Sequence, residues 1–224
     1  MPLLNAPPYA WSDAKGQAQG LYPDIAVALA KVTGLEINID VVPFARAART
    51  VADGSADATL MFSNAFTAGK VHEARVVFYA TQVVQLRPGL AAHNRQDLVP
   101  LTLGRMNGGC MDLAEDTKLP WKFQELSNQV SGVRMLATKR IDGFCTTSEA
   151  IADALASSGL ASEFAQAQKL ELSSKPVWLM LSTRLTPAVA SRLEAGVKEL
   201  QKTGAIDRIF QARLGGSYVL RLPK

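Results

Sequence analysis

The chain has 224 residues, of which 48% are hydrophobic and 20% are charged, and this composition is typical of a folded globular protein rather than a disordered one. Its length suffices for one large domain or for two lobes of about 100 residues each. No apolar run approaches the roughly 18 residues that a membrane-spanning helix needs. The net charge of +4 is scattered, without a basic run or interleaved aromatic residues, so nucleic acid is not an expected partner.

The start of the chain, Met1 to Asn5, lacks the charged residues and apolar stretch of a signal peptide. Either a signal peptide has been removed or the protein is cytosolic. Two cysteines, Cys110 and Cys145, are compatible with one disulfide or with two buried thiols. The two histidines, His72 and His93, are far apart in the sequence, and no Cys-x-x-Cys or His-x-x-x-His pair occurs. We therefore expect no metal site, and nothing indicates a cofactor.

Helical and strand patterns alternate through the first part of the chain. They predict, in order, a helix from Pro23 to Gly34, a half-buried strand over 35–42, a helix over 44–53 and a buried strand over 58–62. A strand before Pro7 would complete a β-α-β-α-β unit. Such alternation favours parallel strands joined by crossover helices.

The same alternation returns in the second part of the chain. It predicts, in order, a strand over 101–103, a glycine turn at Gly108-Gly109, a short helix, a strand over 123–126, a helix over 129–139, a strand over 143–146 and a helix over 149–157. The second part therefore repeats the organisation of the first.

One short segment recurs in both parts: Ala52–Ala58 is echoed by Ala137–Gly143, 85 residues later. Each copy ends a helix, places an aspartate before a small residue, enters a strand and reaches a serine, Ser63 or Ser148. Such a serine would lie at the carboxyl end of its strand, where open α/β sheets bind ligands. Two sheets of this kind facing each other would form a cleft. The alternative is that helix-turn-strand corners resemble one another in any α/β protein.

These features, in this order, resemble the bacterial extracellular solute-binding proteins, family 3, which serve polar amino-acid transporters. The resemblance covers almost the whole chain and depends on Pro7-Pro8-Tyr9 with Trp11, Gly20 to Ile25, Pro43 to Ala47, Ala56 to Ala58, Arg140 to Gly143, Lys175 to Val177, and a closing helix through Leu193 to Leu200. It implies an α/β fold of the type II periplasmic-binding-protein-like class. In that class two α/β lobes are joined by a two-strand hinge, here near Val84 and Leu181, with a ligand cleft between the lobes.

The resemblance also implies a domain division and a function. Lobe 1 would comprise residues 1–85 and 180–224, and lobe 2 residues 86–179. The protein would be a monomeric periplasmic binding protein, not an enzyme, that captures a small polar molecule by lobe closure and delivers it to an ABC transporter permease. Periplasmic residence would favour a Cys110–Cys145 disulfide.

Two other functions remain open from the sequence. The closed protein could instead present its surface to a membrane sensor, with the same binding chemistry and no transport. An enzyme similar to cyclohexadienyl dehydratase is the less expected reading, since only Glu149 offers an acid near the corresponding region, and an acid there also favours a helix start.

In lobe 1, the resemblance places stacking side chains at Tyr9, Trp11 and Phe44, with Tyr9 the first choice, although two of the three could simply fill the core. Arg46 could clamp a carboxylate through its paired donors or form an ordinary surface ion pair.

Three further lobe 1 candidates, Met61, Ser63 and Asn64, leave the third strand at the expected cleft edge. Ser63 would offer a hydroxyl and Asn64 an amide to polar ligand atoms. The alternative is that the two polar side chains cap a turn.

In lobe 2, the segment Gly104 to Cys110 resembles the family's strand, glycine turn and helix start, where free backbone amides bind anions. The candidate contacts there are Gly108, Gly109 and Cys110, unless the segment is an ordinary tight turn. Thr146 and Thr147 would complete the wall.

The charged anchors of the amino-acid binders in this family are missing. Their Thr-x-x-Arg, which grips the ligand carboxylate, is Thr67 followed by Lys70 here, and Thr147 stands where they carry the acid for the ligand ammonium. Each lost contact is worth about 1.5–3 kcal/mol. The sequence therefore predicts a neutral or anionic small molecule at least as strongly as an α-amino acid.

Overall fold

The computed structural model describes residues 1–107, 109–216 and 218–223. The chain divides into two units: unit 1 comprises Met1–Tyr79 together with Pro176–Lys224, and unit 2 comprises Ala80–Lys175. Unit 1 is therefore assembled from two separate stretches of sequence. Two long strands, Val71–Leu86 and Lys169–Ser182, carry the chain from one unit to the other.

Ten strands and seven α-helices are assigned among the described residues, with one turn of 3-10 helix at Gln96–Leu98. The strands are β1 (Pro2–Leu4), β2 (Trp11–Ser12), β3 (Ala18–Gln19), β4 (Asp40–Val42), β5 (Ala58–Met61), β6 (Val71–Leu86), β7 (Thr102–Met106), β8 (Lys122–Leu126), β9 (Gly143–Thr147) and β10 (Lys169–Ser182). The helices are α1 (Leu21–Thr33), α2 (Phe44–Ala52), α3 (Met111–Ala114), α4 (Gln129–Ala137), α5 (Ser148–Ser158), α6 (Pro187–Lys202) and α7 (Ala205–Leu214).

The first helix of unit 1 confirms the sequence pattern. The apolar stripe of α1 is buried at Ile25, Ala26 and Leu29, and the helix ends at Gly34, whose φ of 65° is the left-handed conformation that glycine adopts without strain. Helix α6 lies directly against α1, because a Cβ atom placed on Gly196 would approach Leu29 Cδ1 to 2.6 Å. A side chain at this position would push the two helices apart.

The predicted strand over residues 35–42 is shorter than expected. Only β4 is a strand, and it pairs in parallel with the three-residue β1 in the register Pro2↔Asp40 to Leu4↔Val42. The residues before β4 serve other contacts: Leu35 and Ile37 line a cavity of about 150 Å³ beside α6, and the Asn38 carbonyl accepts from the Met1 amine at 2.7 Å. Strand β5 pairs antiparallel with β10.

The sequence echo corresponds to a repeated corner. Helices α2 and α4 occupy equivalent positions and lead to β5 and β9. Each corner turns at a left-handed residue, Gly54 with φ 81° and Lys139 with φ 59°. In each, the amide two residues further on, Ala56 or Ile141, donates to the carbonyl six residues earlier. The two similar segments therefore form equivalent backbone hydrogen bonds, one in each unit.

In unit 2, β6 pairs antiparallel with β9, and β7 pairs in parallel with both β9 and β8. One apolar cluster lies under α4 and α5 around Phe144, whose ring fills the space left by Gly132. A second contains Leu103, Leu113 and the cysteines. Among the described residues, no helix has the length and apolar character needed to cross a bilayer.

Candidate ligand-binding site

The three aromatic candidates of unit 1 differ in exposure. Tyr9 is only 7% exposed, and its ring lies 5.1 Å from that of Tyr22. Its backbone is held by Gly20, where a Cβ atom would come within 2.5 Å of the Tyr9 carbonyl oxygen. Trp11 is half-buried under the guanidinium of Arg213, at 5.4 Å from its ring. Tyr9 therefore packs into the protein, and Trp11 is partly covered.

Phe44 is the most open of these three side chains. It is 40% exposed at the start of α2, and its only aromatic neighbour among the described residues is Phe66, at 6.4 Å in an edge-on arrangement. Part of the Phe44 side chain is therefore accessible, whereas the ring of Tyr9 is buried.

Arg46, in the first turn of α2, is exposed. Its carbonyl accepts from Thr50 Oγ1 at 2.9 Å, but among residues 1–107, 109–216 and 218–223 its guanidinium forms no ion pair. The first turn of α2 also contains no acidic residue. The five guanidinium donors thus remain available to an anion.

The end of β5 combines one core residue with two polar ones. Met61 is fully buried in an apolar cluster with Val42 and Met180 and cannot contact a ligand without repacking. Ser63 is exposed, and its hydroxyl donates to Glu73 Oε1 at 2.6 Å. The sequence analysis did not identify Glu73, because no motif links it to Ser63, ten residues earlier.

Asn64 follows the capped-turn alternative. Its Nδ2 donates to the Phe62 carbonyl at 3.0 Å, and its Oδ1 accepts from the Phe66 amide at 3.0 Å. Thr67 is buried and exchanges hydrogen bonds with the Asn64 backbone. Asn64 and Thr67 therefore fix the conformation of the loop after β5 and have little capacity left for a ligand.

Lys70, three residues after Thr67, lies on a surface groove. The groove is also lined by Arg49 and Phe66, and the Arg49 guanidinium lies 4.8 Å from the Phe66 ring centroid. Lys70 is exposed and forms no ion pair among the described residues. Asp53 lines the same groove, so this flank of α2 presents two cations and one carboxylate.

In unit 2, the expected helix start after the glycine turn is small. Gly108 lies outside the described residues. The Gly109 amide is already used, donating to the Met106 carbonyl at 2.7 Å, and α3 has only four residues. Cys110 precedes α3 in the left-handed conformation and forms a disulfide with Cys145 of β9. The predicted short helix is present as a single turn, which offers few free amides and little dipole, and anion binding by this segment stays a prediction.

The two threonines at the end of β9 have different surroundings. Thr146 is almost buried, opposite Val83 of β6. The Thr147 hydroxyl accepts from the Ala150 amide at 3.4 Å and so caps α5. Glu149, in the first turn of α5, is only 1% exposed. Thr147 therefore serves as the cap of α5.

Sequence reasoning missed a charged cluster beside Cys110. Asp112 of α3 accepts from Lys175 Nζ at 2.9 Å and from the Ser173 hydroxyl, and Arg95 Nη1 donates to the Asp112 carbonyl at 3.2 Å. Burial raises the pKa of the Asp112 carboxyl, but the bonds from Ser173 and Lys175 outweigh burial, and the pKa lies below its usual value. Ser173 is 61 residues from Asp112, so no local spacing could have revealed the pairing.

Across the described residues, no three His, Cys, Asp or Glu side chains come together in a group that could hold a metal ion. The polar groups that the structure exposes are instead hydroxyls, carboxylates and cations. These groups can recognise a polar organic molecule through hydrogen bonds and ion pairs.

Residues 3–215 match the family described as bacterial extracellular solute-binding proteins, family 3. No curated protein matches the chain. Many solved structures share the fold. One is an ancestral cationic amino-acid solute-binding protein, with 18% identity and a TM-score of 0.74 over 96% of this chain and 95% of that one. A second structure of this ancestral protein has 18% identity and a TM-score of 0.67, over 95% of this chain and 94% of that one. The ancestral protein is described there as an amino-acid-binding protein and a precursor of cyclohexadienyl dehydratase.

Two other similar structures come from proteins with different roles. The second substrate-binding domain of a putative amino-acid ABC transporter from Streptococcus pneumoniae has 18% identity and a TM-score of 0.70, over 95% of this chain and 98% of that one. A histidine kinase sensor domain has 16% identity and a TM-score of 0.70, over 100% and 97%. At these identities the likeness establishes the type II periplasmic-binding-protein-like α/β fold and nothing finer.

Proposed function

The chain belongs to the bacterial extracellular solute-binding proteins, family 3, and we propose that it captures a small polar molecule in the periplasm by closure of its two lobes and delivers it to an ABC transporter. The observation that carries this proposal is the family match over residues 3–215, almost the whole chain. Binding proteins of amino-acid transporters among the similar structures support it. The protein would act as a monomer, its membrane partner being the permease.

The exposed groups of unit 1 support an anionic or neutral polar ligand. Arg46 has no ion-pair partner among the described residues and can bind an anion, and Phe44 is 40% exposed. The Ser63 hydroxyl donates its proton to Glu73 and can still accept a hydrogen bond from a neutral donor. We assign these three side chains to ligand contact and assign Tyr9, Met61 and Asn64 to structural support.

From unit 2 the proposal takes Gly109, Cys110, Thr146 and Thr147 as the neighbours of the ligand. None of the four supplies a carboxylate, so an ammonium group would have no charged partner among them. A small organic acid is therefore the ligand class that we expect first.

A thermal-shift screen of the purified protein tests binding, with organic acids, aromatic acids, amino acids, polyamines and sugars. A ligand at about 100 times its Kd stabilises the folded state by about 2.7 kcal/mol, which shifts the Tm by a few degrees. The Arg46→Ala variant should weaken binding of an acid at least tenfold in calorimetry, whereas Arg140→Ala, which changes another exposed arginine, in unit 2, should not. Equal affinities for both variants would remove Arg46 from the site.

A second candidate function is sensing. The similarity to a histidine kinase sensor domain, over 100% of this chain, favours it specifically. Deletion of the gene separates the two functions once the ligand is known. Lost uptake of the labelled ligand supports transport, whereas normal uptake with a lost transcriptional response supports sensing.

Catalysis is the least supported function. The ancestral relative that is described as a precursor of cyclohexadienyl dehydratase is itself described as an amino-acid-binding protein. Glu149, the acid that an elimination would need, is 1% exposed. Incubation with prephenate or arogenate should leave both unchanged, and formation of an elimination product would overturn our assignment of binding without catalysis.

A further inference from the structure

Helix α3 is too short to hold its own position. Its four residues, Met111–Ala114, form a single turn, and an isolated turn gains few hydrogen bonds for the backbone freedom that it loses. The turn nevertheless follows Gly109 and Cys110, two of the four unit 2 ligand contacts proposed above. Whatever fixes α3 therefore also fixes these two residues.

Three ties reach α3 from three different parts of unit 2. The disulfide joins Cys110, at its start, to β9. The Asp112 side chain is bound by Lys175 and Ser173 of β10. Arg95, at the start of the 3-10 turn, donates to the Asp112 carbonyl at 3.2 Å.

The Asp112 carboxylate is the centre of this arrangement. Its side chain is 13% exposed, and its two oxygens accept from different donors, Oδ1 from Lys175 and Oδ2 from Ser173. Two charge-assisted bonds at fixed angles define both the position and the rotation of a side chain. Lys175, by contrast, is half-exposed and brings its charge from the solvent side.

Strand β10, which provides the two donors, also runs from unit 2 into unit 1. Lys175 is the last residue of unit 2 before β10 continues into unit 1. The cluster thus ties Cys110 and α3 to the strand along which the chain leaves the unit. A shift of α3 would be transmitted to that strand through Asp112.

We propose that Asp112 is a positioning residue, which with Lys175 and Ser173 holds the segment 109–114 against β10 in the conformation that receives ligand. The part that concerns ligand rests on the function proposed above; the part that concerns the segment does not. Asp112 itself need not touch the ligand.

Hydrogen–deuterium exchange on the oxidised protein tests the positioning role without any ligand. In Asp112→Asn, the amides of residues 109–114 should exchange at least fivefold faster than in the wild type, with the exchange of α4 unchanged. Lys175→Met should have a similar effect, and Lys175→Arg, which keeps the charge, should restore near-normal protection. The matched control is Glu125→Gln, which removes the Arg105–Glu125 ion pair of β7 and β8 in the same unit.

The outcomes separate a positioning role from a general structural one. Faster exchange confined to 109–114 supports the proposal, and unchanged exchange there overturns it. Acceleration spread evenly over unit 2 also overturns it, because Asp112 would then only contribute to global stability.

For a ligand found in the screen, Asp112→Asn should weaken binding about tenfold, mainly through faster dissociation, while Glu125→Gln leaves it unchanged. Unchanged affinity in Asp112→Asn overturns the link to ligand while the binding function stands. If the wild type binds no tested compound, the proposed function loses its support, and the exchange data still decide the role of Asp112.

Discussion

Reduction of the Cys110–Cys145 disulfide should destabilise unit 2 with no other change in its atoms. The bridge closes a loop with a sequence separation of 35, and the loss of loop-closure entropy in the unfolded chain gives about 4 kcal/mol of stabilisation for a loop of that length. Both cysteines are buried, so reduction is a milder test than substitution, which would leave a cavity or a buried hydroxyl. The expected loss is a large part of the 5–15 kcal/mol typical of a folded domain.

The tryptophans make the measurement specific to unit 2. Trp121 packs against the apolar cluster that contains the disulfide, and its indole donates to the Asp116 carbonyl at 3.0 Å. Trp11 and Trp178 both belong to unit 1, so replacing them by phenylalanine leaves one reporter in unit 2. Urea titrations of the oxidised and reduced forms, followed by Trp121 fluorescence, then give the two free energies of unfolding.

Thiol titration of the unreduced, urea-unfolded protein is the necessary control and should find no free thiol. Two free thiols would show that the bridge does not form in the isolated protein. If the bridge is present and the free energies of unfolding of the two forms agree within 1 kcal/mol, the loop-entropy reasoning is wrong for this unit.

Three further predictions concern single residues. Gly196→Ala should lower the free energy of unfolding by about 1–3 kcal/mol, because the added methyl group pushes α6 away from α1. In the control, Gly216→Ala, the added methyl group meets nothing within 4 Å, and the free energy of unfolding should not fall. Urea titration compares the two variants. Lys139→Gly should raise it by about 0.5–1 kcal/mol, because the left-handed conformation at φ 59° suits glycine, and a lower value would refute this. Since the folded-state pKa of Asp112 is lowered, its charge stabilises the protein above about pH 4 and ceases to do so as the pH falls through that pKa. Asp112→Asn should therefore reduce the acid-side loss of stability, and identical pH profiles of Tm would contradict the assignment.

The sequence predicted most helices and strands because their signals are local. The stripe of α1, the glycine that ends it and the buried run of β5 depend on residues within a few positions of one another. The length of strand β4 was overestimated, because an alternation of apolar and polar residues indicates which side chains are buried and not which residues pair with another strand. Only three residues of β1 are available as its partners, and Leu35 and Ile37 alternate for another reason, their contact with a cavity beside α6.

Site residues were harder to predict because a residue type does not determine which face the side chain occupies. Tyr9 has the aromatic ring that stacking needs, but the ring is buried and packs against Tyr22. Asn64 has a side-chain amide suited to a polar ligand, but its Nδ2 and Oδ1 form hydrogen bonds within its own turn. Asp112 showed no signal at all, since its partners are on a distant strand.

The internal repeat explains why equivalent positions serve different purposes. Ser63 and Ser148 both follow a repeated corner, but β5 leads into a loop and β9 leads directly into α5. In the loop, the hydroxyl of Ser63 is exposed and reaches Glu73. After β9, the chain must satisfy the free amides of a helix start, and Thr147 supplies its hydroxyl for that purpose. The same corner therefore leaves an exposed hydroxyl after β5 and a helix cap after β9, because only the second strand leads directly into a helix.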